Sequence, residues 1–189
     1  MDRGYFAHNN SMGKLIEPSR QSPGEQSNTD ETGPGKIDSL KKLRQLTLQS
    51  FCDARTLIRL YTRDLDPRIL NDRALEQALI RFIRRSRHSR LQILIVDEQS
   101  LQGQDHRLVS LAQTYTSFVQ IRVIPRDFHE NYFAFYLVDR DQLILRKQSD
   151  RFEAQYLCLP SSEIVNKQRY FEDVWQQSTP AVHLRALHL

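Results

Sequence analysis

The pattern of apolar and polar positions is most regular between residues 91 and 125. A continuous apolar run at 93–96 is typical of a strand that is buried on both faces. Apolar residues then recur at helical spacing over 108–115, and a second apolar stretch follows at 118–124. A connection of this length between two buried strands predicts a parallel pair whose crossover helix lies on the sheet.

The segments before this unit continue the alternation of helices and strands. The spacing of apolar residues predicts an amphipathic helix over 37–54, and the short apolar segment 56–62 predicts a strand. Pro67 can open a helical segment directly after Asp66. A second long helix is expected after Asp72, which is a suitable N-cap residue. Its apolar side chains, which we expect to be buried, are Leu75, Ala78, Leu79, Phe82 and Ile83.

After the central unit, the pattern predicts a hairpin, a further strand and a closing helix. Two stretches rich in β-forming residues flank positions 140–141, which we interpret as a two-residue turn. Residues 152–159 form the next predicted strand, the segment 160–162 opens the last helix, and residues 180–189 are expected to pack as an extended end. Five side chains of the last helix are expected to face inward: Ile164, Val165, Phe171, Val174 and Trp175.

Composition separates the first 36 residues from the rest of the chain. Five of the six glycines fall there, and residues 17–35 contain no Val, Leu, Ile, Met or aromatic side chain. Such a segment cannot bury enough apolar surface to offset the entropy lost on ordering. We therefore expect a disordered tail over residues 1–36 and one folded domain over residues 37–189.

Charge and cysteine usage narrow the expected environment. The tail carries four basic and five acidic residues, so the +4 of the whole chain leaves +5 on the domain, which favours an anionic partner only weakly. Cys52 and Cys158 have no paired spacing, and the sequence contains neither a signal peptide nor a transmembrane run. These features predict a cytoplasmic protein without a disulfide and without a membrane partner.

The order of predicted elements resembles one half of the phospholipase D-like fold, an α/β fold whose mixed sheet is sandwiched by helices. In that family, a hairpin strand carries His-x-Lys-x4-Asp; the histidine attacks phosphorus and the lysine neutralises the phosphate. The matching segment here is YFAFYLVDRDQLILRK. When it is aligned on Asp139, Tyr132 occupies the histidine position and Ala134 occupies the lysine position. The resemblance therefore implies a domain that has lost its nucleophile.

This resemblance implies a non-enzymatic accessory or ligand-binding domain, with a phosphate-bearing molecule such as nucleic acid as the candidate partner. An enzymatic alternative is a phosphodiesterase or a Mg²⁺-dependent phosphohydrolase that uses Asp64 and Asp97. The segments ARTLIRLYTRDLDP and DHRLVSLAQ also resemble a bacterial group of single phospholipase D-like domains, sometimes joined to an acetyltransferase domain. A third hypothesis is therefore that the domain is an interaction module for an acetyltransferase. A homodimer is a further candidate arrangement, although it would pair two defective half-sites.

A basic run ends the second long helix. Guanidinium groups match phosphate oxygens, so this run could hold the phosphates of RNA, DNA or a small ligand. Alternatively, the cations complement the helix macrodipole on a solvated face. We favour this interpretation over phosphate binding by about two to one. The phosphate-binding candidates are Arg81, Arg84, Arg85, Arg87 and Arg90, and His88 lies among them.

Charged residues also gather at the predicted carboxyl ends of the strands, which is the edge where open parallel sheets bind ligands. The candidates for a ligand site at this edge are Arg63, Asp64, Asp97, Arg126 and His129. The alternative is that strands simply end in polar turn residues. We expect His106 to be a surface or satisfied histidine. We expect no metal, because acidic residues at strand ends also suit turns and a helix start. We expect no nucleotide cofactor, because Gly103 is the only glycine in the domain and nucleotide-binding loops need several.

Overall fold

The computed structural model describes residues 35–101 and 103–184. The expected disordered tail falls on residues outside this part, except for its last two positions, 35 and 36, which lie in the first strand. The helices are α1 (Leu40–Asp53), α2 (Pro67–Leu70), α3 (Arg73–Arg85), α4 (Arg107–Thr114) and α5 (Ser162–Gln177). The strands are β1 (Gly35–Ile37), β2 (Leu57–Thr62), β3 (Arg90–Ile95), β4 (Val119–Val123), β5 (Ala134–Val138), β6 (Gln142–Arg146), β7 (Ala154–Leu157) and β8 (Thr179–Pro180).

The described strands form one mixed sheet in the order β1-β7-β6-β5-β2-β3-β4-β8. The pairs β2–β3 and β3–β4 are parallel, and the other neighbours are antiparallel. The strands β2, β3, β4 and β6 therefore all end at the same edge of the sheet. The connections β2–α3–β3 and β3–α4–β4 are the crossovers expected from the apolar runs, so the parallel core of the sheet is confirmed.

Helices cover both faces of the sheet. Apolar side chains of α1, α2, α3 and α4 pack on one face, together with Leu60, Ile93 and Tyr136 from the strands. On the other face, α5 packs its residues Ile164, Phe171 and Trp175 against apolar strand residues such as Leu94 and Phe135. The expectation of an α/β fold with a mixed sheet between helices is therefore confirmed.

The sequence patterns located most elements within two or three residues. The inward face of α3 is buried as expected, with Leu79 fully buried and Phe82 exposed by only 2%. Asp72 is its N-cap, and one of its carboxylate oxygens accepts hydrogen bonds from the backbone N–H groups of Ala74 and Leu75. His106 is 1% exposed, and its ring nitrogens contact backbone atoms, so it is a satisfied histidine.

Four details of the sequence prediction were wrong. Val165 is 48% exposed, because it lies on the solvent side of α5. The first helix begins at Leu40 rather than at residue 37, since Ile37 pairs with Ala154 in the sheet. The hairpin turn has three residues, 139–141, instead of two. The described part of the expected extended end instead includes the end of the short strand β8 and a 3₁₀ helix at Val182–Leu184, and residues 185–189 lie outside the described part.

None of the helices in the described ranges is both long and apolar enough to cross a membrane.

Candidate functional site

The predicted site residues lie at two opposite edges of the sheet. Arg63, Asp64, Asp97, Arg126 and His129 all follow strands that end at one edge, as predicted, and we call this the strand-end edge. The other edge is where β2, β3 and β4 begin and where α1, α3 and α4 end. It holds the basic run, and we call it the basic edge. The two sets therefore cannot form one site.

At the strand-end edge, the side chains of Arg63 and His129 contact backbone carbonyl groups. The Nη1 atom of Arg63 donates to the carbonyl of His129 at 2.8 Å, and its guanidinium carbon lies 5.1 Å from the centre of the Tyr132 ring. The Nε2 atom of His129 lies 2.9 Å from the carbonyl oxygen of Ile124. These contacts hold the connection between β4 and β5 in place. They leave His129 engaged with the protein itself.

The acidic candidates at this edge are Asp64 and Asp97. One carboxylate oxygen of Asp97 accepts hydrogen bonds from the backbone N–H groups of Gln99 at 2.9 Å and Ser100 at 3.2 Å. This caps the 3₁₀ helix at Gln99–Leu101. Asp64 and Arg126 are exposed. Across residues 35–101 and 103–184, no three His, Cys, Asp or Glu side chains are placed to hold a metal ion together.

The main feature of the strand-end edge is a buried ion pair that the sequence prediction did not include. Arg146, at the end of β6, is 1% exposed and Asp66 is 3% exposed. The Nη2 atom of Arg146 lies 3.4 Å from Oδ2 of Asp66 and also donates to the carbonyl of Ser149. Its Nε atom donates to the carbonyl of Arg151 at 2.8 Å. Arg146 thus ties the loop after β6 to the start of α2.

Asp66 is held in its ionised form by two guanidinium groups. Burial alone would raise the pKa of the Asp66 carboxyl, but hydrogen bonds from Arg68 and the charges of Arg68 and Arg146 hold it below its usual value. The Nε and Nη2 atoms of Arg68 each lie 2.9 Å from one carboxylate oxygen, a two-pronged contact. The guanidinium of Arg68 also stacks on Phe152, with its carbon 4.7 Å from the ring centre.

Arg146 lies directly opposite Ala134 in the β5–β6 pairing, so both side chains project from the same face of the sheet. Tyr136, two residues further along β5, shares this face. Within the described part of the chain, Nη1 of Arg146 and the Tyr136 hydroxyl are both buried without a hydrogen-bond partner of good geometry. Burial raises the pKa of Tyr136 to about 12, even though the nearby Arg146 charge opposes this rise. The arginine charge therefore stands beside the position that matches the family's lysine.

Asp139, on which the resemblance to the phospholipase D-like motif was aligned, has a structural role at the basic edge. Its carboxylate accepts hydrogen bonds from the backbone N–H groups of Arg55 at 2.8 Å, Thr56 at 2.8 Å and Leu57 at 3.0 Å. Burial would raise its pKa, but these backbone donors hold the pKa below its usual value. Asp139 also has a φ of 51°, in the left-handed region. It fixes the hairpin turn against the start of β2.

The residues of the basic run remain exposed although they touch neighbouring groups. Arg85 donates to the carbonyl of Ala54, the C-cap residue of α1, at 3.1 Å, and Arg84 donates to the Tyr115 hydroxyl at 3.3 Å. Arg90 donates to the carbonyl of Arg87 at 2.8 Å. Arg85 thus contacts the C-terminus of α1, a different helix from the one that carries the basic run.

These contacts do not neutralise the basic edge. As far as the structure describes the chain, no Asp or Glu forms an ion pair with any arginine of the run. Each of these side chains contributes at most a few of its five N–H donors to neighbouring carbonyl or hydroxyl groups. The remaining donors face solvent, so this edge can bind an anion without first breaking an ion pair.

Comparison with protein families gives one match. A family model described as "Domain of unknown function (DUF7931)" matches residues 39–187. A comparison with curated proteins finds no significant match.

Comparison with solved structures gives matches over most of the described fold. The chain is similar to TrmBL2, an archaeal chromatin protein with a novel mode of DNA binding, with a TM-score of 0.57 and 13% identity; the match covers 82% of this chain but only 57% of that chain. It is also similar to Nuc from Salmonella typhimurium, a phospholipase D family member (TM-score 0.56, 14% identity, 78% of this chain and 98% of that chain). NucT from Helicobacter pylori gives a TM-score of 0.55 at 12% identity, with 78% and 98% coverage. The expected phospholipase D-like fold is therefore confirmed.

Proposed function

The chain belongs to the DUF7931 family, and from the geometry of its two edges we propose that it is a non-catalytic phospholipase D-like domain that binds a phosphate-bearing partner, with nucleic acid as the first candidate. The partner binds at the basic edge. The strand-end edge, where the resembled family places its chemistry, serves to hold the fold together.

The residues at the positions that match the histidine and the lysine of the resembled family support a non-catalytic role. Tyr132 is 66% exposed, and a phenol is a poor nucleophile without an activating base. Ala134 is fully buried and carries no charge. Arg146 brings a positive charge next to Ala134, but Asp66 neutralises it and both are buried. Because Arg146 is only 1% exposed, a phosphate cannot reach its guanidinium without moving the groups that cover it.

The observation that carries the proposal is the contrast between the arginines of the two edges. At the strand-end edge, Arg146 is buried and paired with Asp66, whereas Arg126 is exposed but is not part of a run of arginines. At the basic edge, five arginines and His88 are exposed, and none of the arginines has an acidic partner among the described residues. Unpaired surface guanidinium groups are what a protein uses to contact phosphate backbones.

The likeness to TrmBL2, an archaeal chromatin protein with a novel mode of DNA binding, is compatible with this proposal. At 13% identity that likeness establishes the fold alone.

The test is a titration of the full chain with fluorescent single-stranded and double-stranded DNA and RNA at several salt concentrations. We expect an affinity that falls as salt rises, because bound phosphates release counterions. The variant Arg84→Gln/Arg87→Gln/Arg90→Gln should lose most of this affinity. Its logarithmic salt slope should decrease by about 0.9 for each lost contact to a duplex. Arg85 is left unchanged because it caps α1.

The matched control is Arg73→Gln/Arg126→Gln/Arg169→Gln, which removes the same charge from three exposed positions outside the basic run. It should retain binding. The proposal fails if the unaltered chain has no affinity at low salt, or if the two triple variants bind equally.

A further inference from the structure

Two aromatic side chains lie among the arginines of the basic edge. Tyr115 is the C-cap residue of α4, and Phe118 directly precedes β4. Both belong to the crossover that follows β3, so the basic run alone does not reveal them. We propose that the basic edge binds single-stranded nucleic acid in preference to a duplex, with unpaired bases stacked on Phe118 and Tyr115. This inference rests on the proposed function and names the form of nucleic acid that the edge binds.

Each of the two rings contacts an arginine of the basic run. The guanidinium carbon of Arg90 lies 5.8 Å from the centre of the Phe118 ring, and Nη2 of Arg84 donates to the Tyr115 hydroxyl at 3.3 Å. Both arginines are exposed, and neither forms an ion pair with an Asp or Glu of the described ranges. A base that stacks on one of these rings therefore has a guanidinium beside it for a neighbouring phosphate. Proteins that bind single strands combine these two elements, a positively charged surface and aromatic stacking partners.

The rings are partly exposed and their positions are fixed. One part of each ring packs against the core on the side of α3 and α4, and the remainder is open to solvent. The backbone N–H of Phe118 donates to the carbonyl of Tyr115 at 2.9 Å, and the carbonyl of Phe118 accepts from the N–H of Leu91 at 2.8 Å. The second bond joins Phe118 to the start of β3, next to Arg90. Because the protein already holds both rings in place, little conformational freedom is lost on binding.

The form of the nucleic acid follows from what the rings can contact. In a duplex, each base is paired and stacked inside the double helix, so its faces do not reach an aromatic side chain. A duplex would therefore contact only the arginines, through its phosphates. A single strand offers phosphates and open base faces together, and stacking on an aromatic ring is tolerant of sequence. We expect single strands to bind more tightly than duplexes, with little sequence preference.

The experiment compares two fluorescent single strands that carry the same number of phosphates. One is an oligothymidylate of about 12 nucleotides, and the other is an abasic strand of the same length. Fluorescence anisotropy with the full chain measures the affinity for each strand and for a duplex of that length. The unaltered chain should bind the oligothymidylate roughly tenfold more tightly than the abasic strand or the duplex. All three affinities should fall as the salt concentration rises.

Substitutions at Phe118 separate stacking from charge. Phe118→Leu keeps an apolar side chain at this partly buried position but removes the aromatic face. It should bring the affinity for oligothymidylate close to that for the abasic strand and leave abasic binding unchanged. Phe118→Trp should retain the preference for bases, and oligothymidylate should quench the fluorescence of the added indole. The matched control is Tyr132→Leu, which removes an exposed ring beside Arg63 at the opposite edge and should change neither affinity.

The outcomes distinguish this inference from the proposed function. Equal affinities of the unaltered chain for the two strands would overturn the inference and leave the proposed function in place. A folded Phe118→Leu that keeps the full preference for bases, or a Tyr132→Leu that loses it, would also overturn the inference. An unaltered chain that binds neither strand at low salt would overturn both. If Phe118→Leu does not fold, the two strands measured with the unaltered chain and with Phe118→Trp still decide the question.

Discussion

At the scale of single residues, the buried Asp66–Arg146 pair has the largest consequence for stability. Both side chains are almost fully buried, and Arg146 also donates to two carbonyls of the following loop. Removing one partner of a buried pair leaves an uncompensated charge and unpaired acceptors, which is far more costly than removing an exposed pair. Arg146 and Arg68 both contact Asp66, but Arg68 keeps about half of its side chain exposed.

Because Arg146 is buried and Arg68 is half exposed, substitutions at these two positions should differ in their effect on stability. Arg146→Met should lower the free energy of unfolding by about 3–5 kcal/mol, whereas Arg68→Met should lower it by about 1 kcal/mol or less. Urea denaturation of both variants at pH 7 measures the two values. Equal and small losses would mean that the buried pair contributes no net stability.

The Asp66–Arg146 ion pair makes the free energy of unfolding depend on pH, in a direction set by the pKa of Asp66. The pKa of Asp66 is lowered in the folded state, so its contribution is present above the unfolded pKa of about 3.9 and is lost as pH falls through the folded value. The difference in the free energy of unfolding between the unaltered chain and Arg146→Met should therefore become smaller below about pH 4. A difference that stays the same size down to the acid-unfolding transition would argue against an ionised Asp66.

At the scale of elements, α3 is the helix that the sequence specifies most clearly. Apolar side chains at i, i+3, i+4, i+7 and i+8 lie on one face, and Asp72 caps its N-terminus. In α5 the same kind of pattern is less regular. Val165 follows the buried Ile164 and lies on the exposed side of α5. The predicted inward face of this helix therefore included one residue too many.

Phe82→Ala should therefore cost about 3–5 kcal/mol, because it opens a cavity under α3. Val165→Ala, which also shortens an apolar side chain, should change stability by less than about 0.5 kcal/mol because this residue is exposed. Thermal or urea unfolding of the two variants measures both values. A near-neutral Phe82→Ala would show that α3 does not pack as described.

The hairpin shows why part of the site could not be predicted. A two-residue turn at 140–141 would place Lys147 opposite Ala134, whereas the three-residue turn places Arg146 there. A slip of one residue moves every side chain of the strand to the other face of the sheet. The longer turn depends on Asp139, whose left-handed backbone is held by N–H donors more than 80 residues earlier in the chain.

The fold itself could be inferred because its signals are local. Continuous apolar runs identify β2 and β3, and helical spacing identifies α3, so each element is recognisable within about a dozen residues. The strand-end position of Arg63, Asp64 and Asp97 followed from the same pattern. Long-range pairing decides the rest, including the burial of Arg146 and the position of Phe118 beside Arg90, where β4 meets β3.

At the scale of the whole molecule, the two edges of the sheet differ in what they can do. At the strand-end edge the arginine beside Ala134 is buried and paired with Asp66, whereas the basic edge carries a run of exposed arginines. A catalytic phospholipase D-like site needs a histidine to attack phosphorus and a lysine to hold the non-bridging oxygens, according to the resemblance. Tyr132 and Ala134 stand at those positions, and pairing two copies of the chain would bring together two sites with the same defect.

We therefore predict that the full chain has no phosphodiesterase activity on lipid or nucleic-acid substrates at neutral pH. The assay uses bis(p-nitrophenyl) phosphate, phosphatidylcholine vesicles and single-stranded DNA, each without metal and with Mg²⁺ or Mn²⁺, because Asp64 and Asp97 are the acidic candidates for a metal route. Asp64→Asn and Asp97→Asn are the matched controls. Turnover that disappears in either variant would overturn the non-catalytic proposal and favour a metal-dependent phosphohydrolase. Turnover that survives in both variants but is lost in Tyr132→Phe would instead identify Tyr132 as a nucleophile. No turnover under any condition, together with salt-dependent DNA binding, is the result that the charge distribution of the two edges predicts.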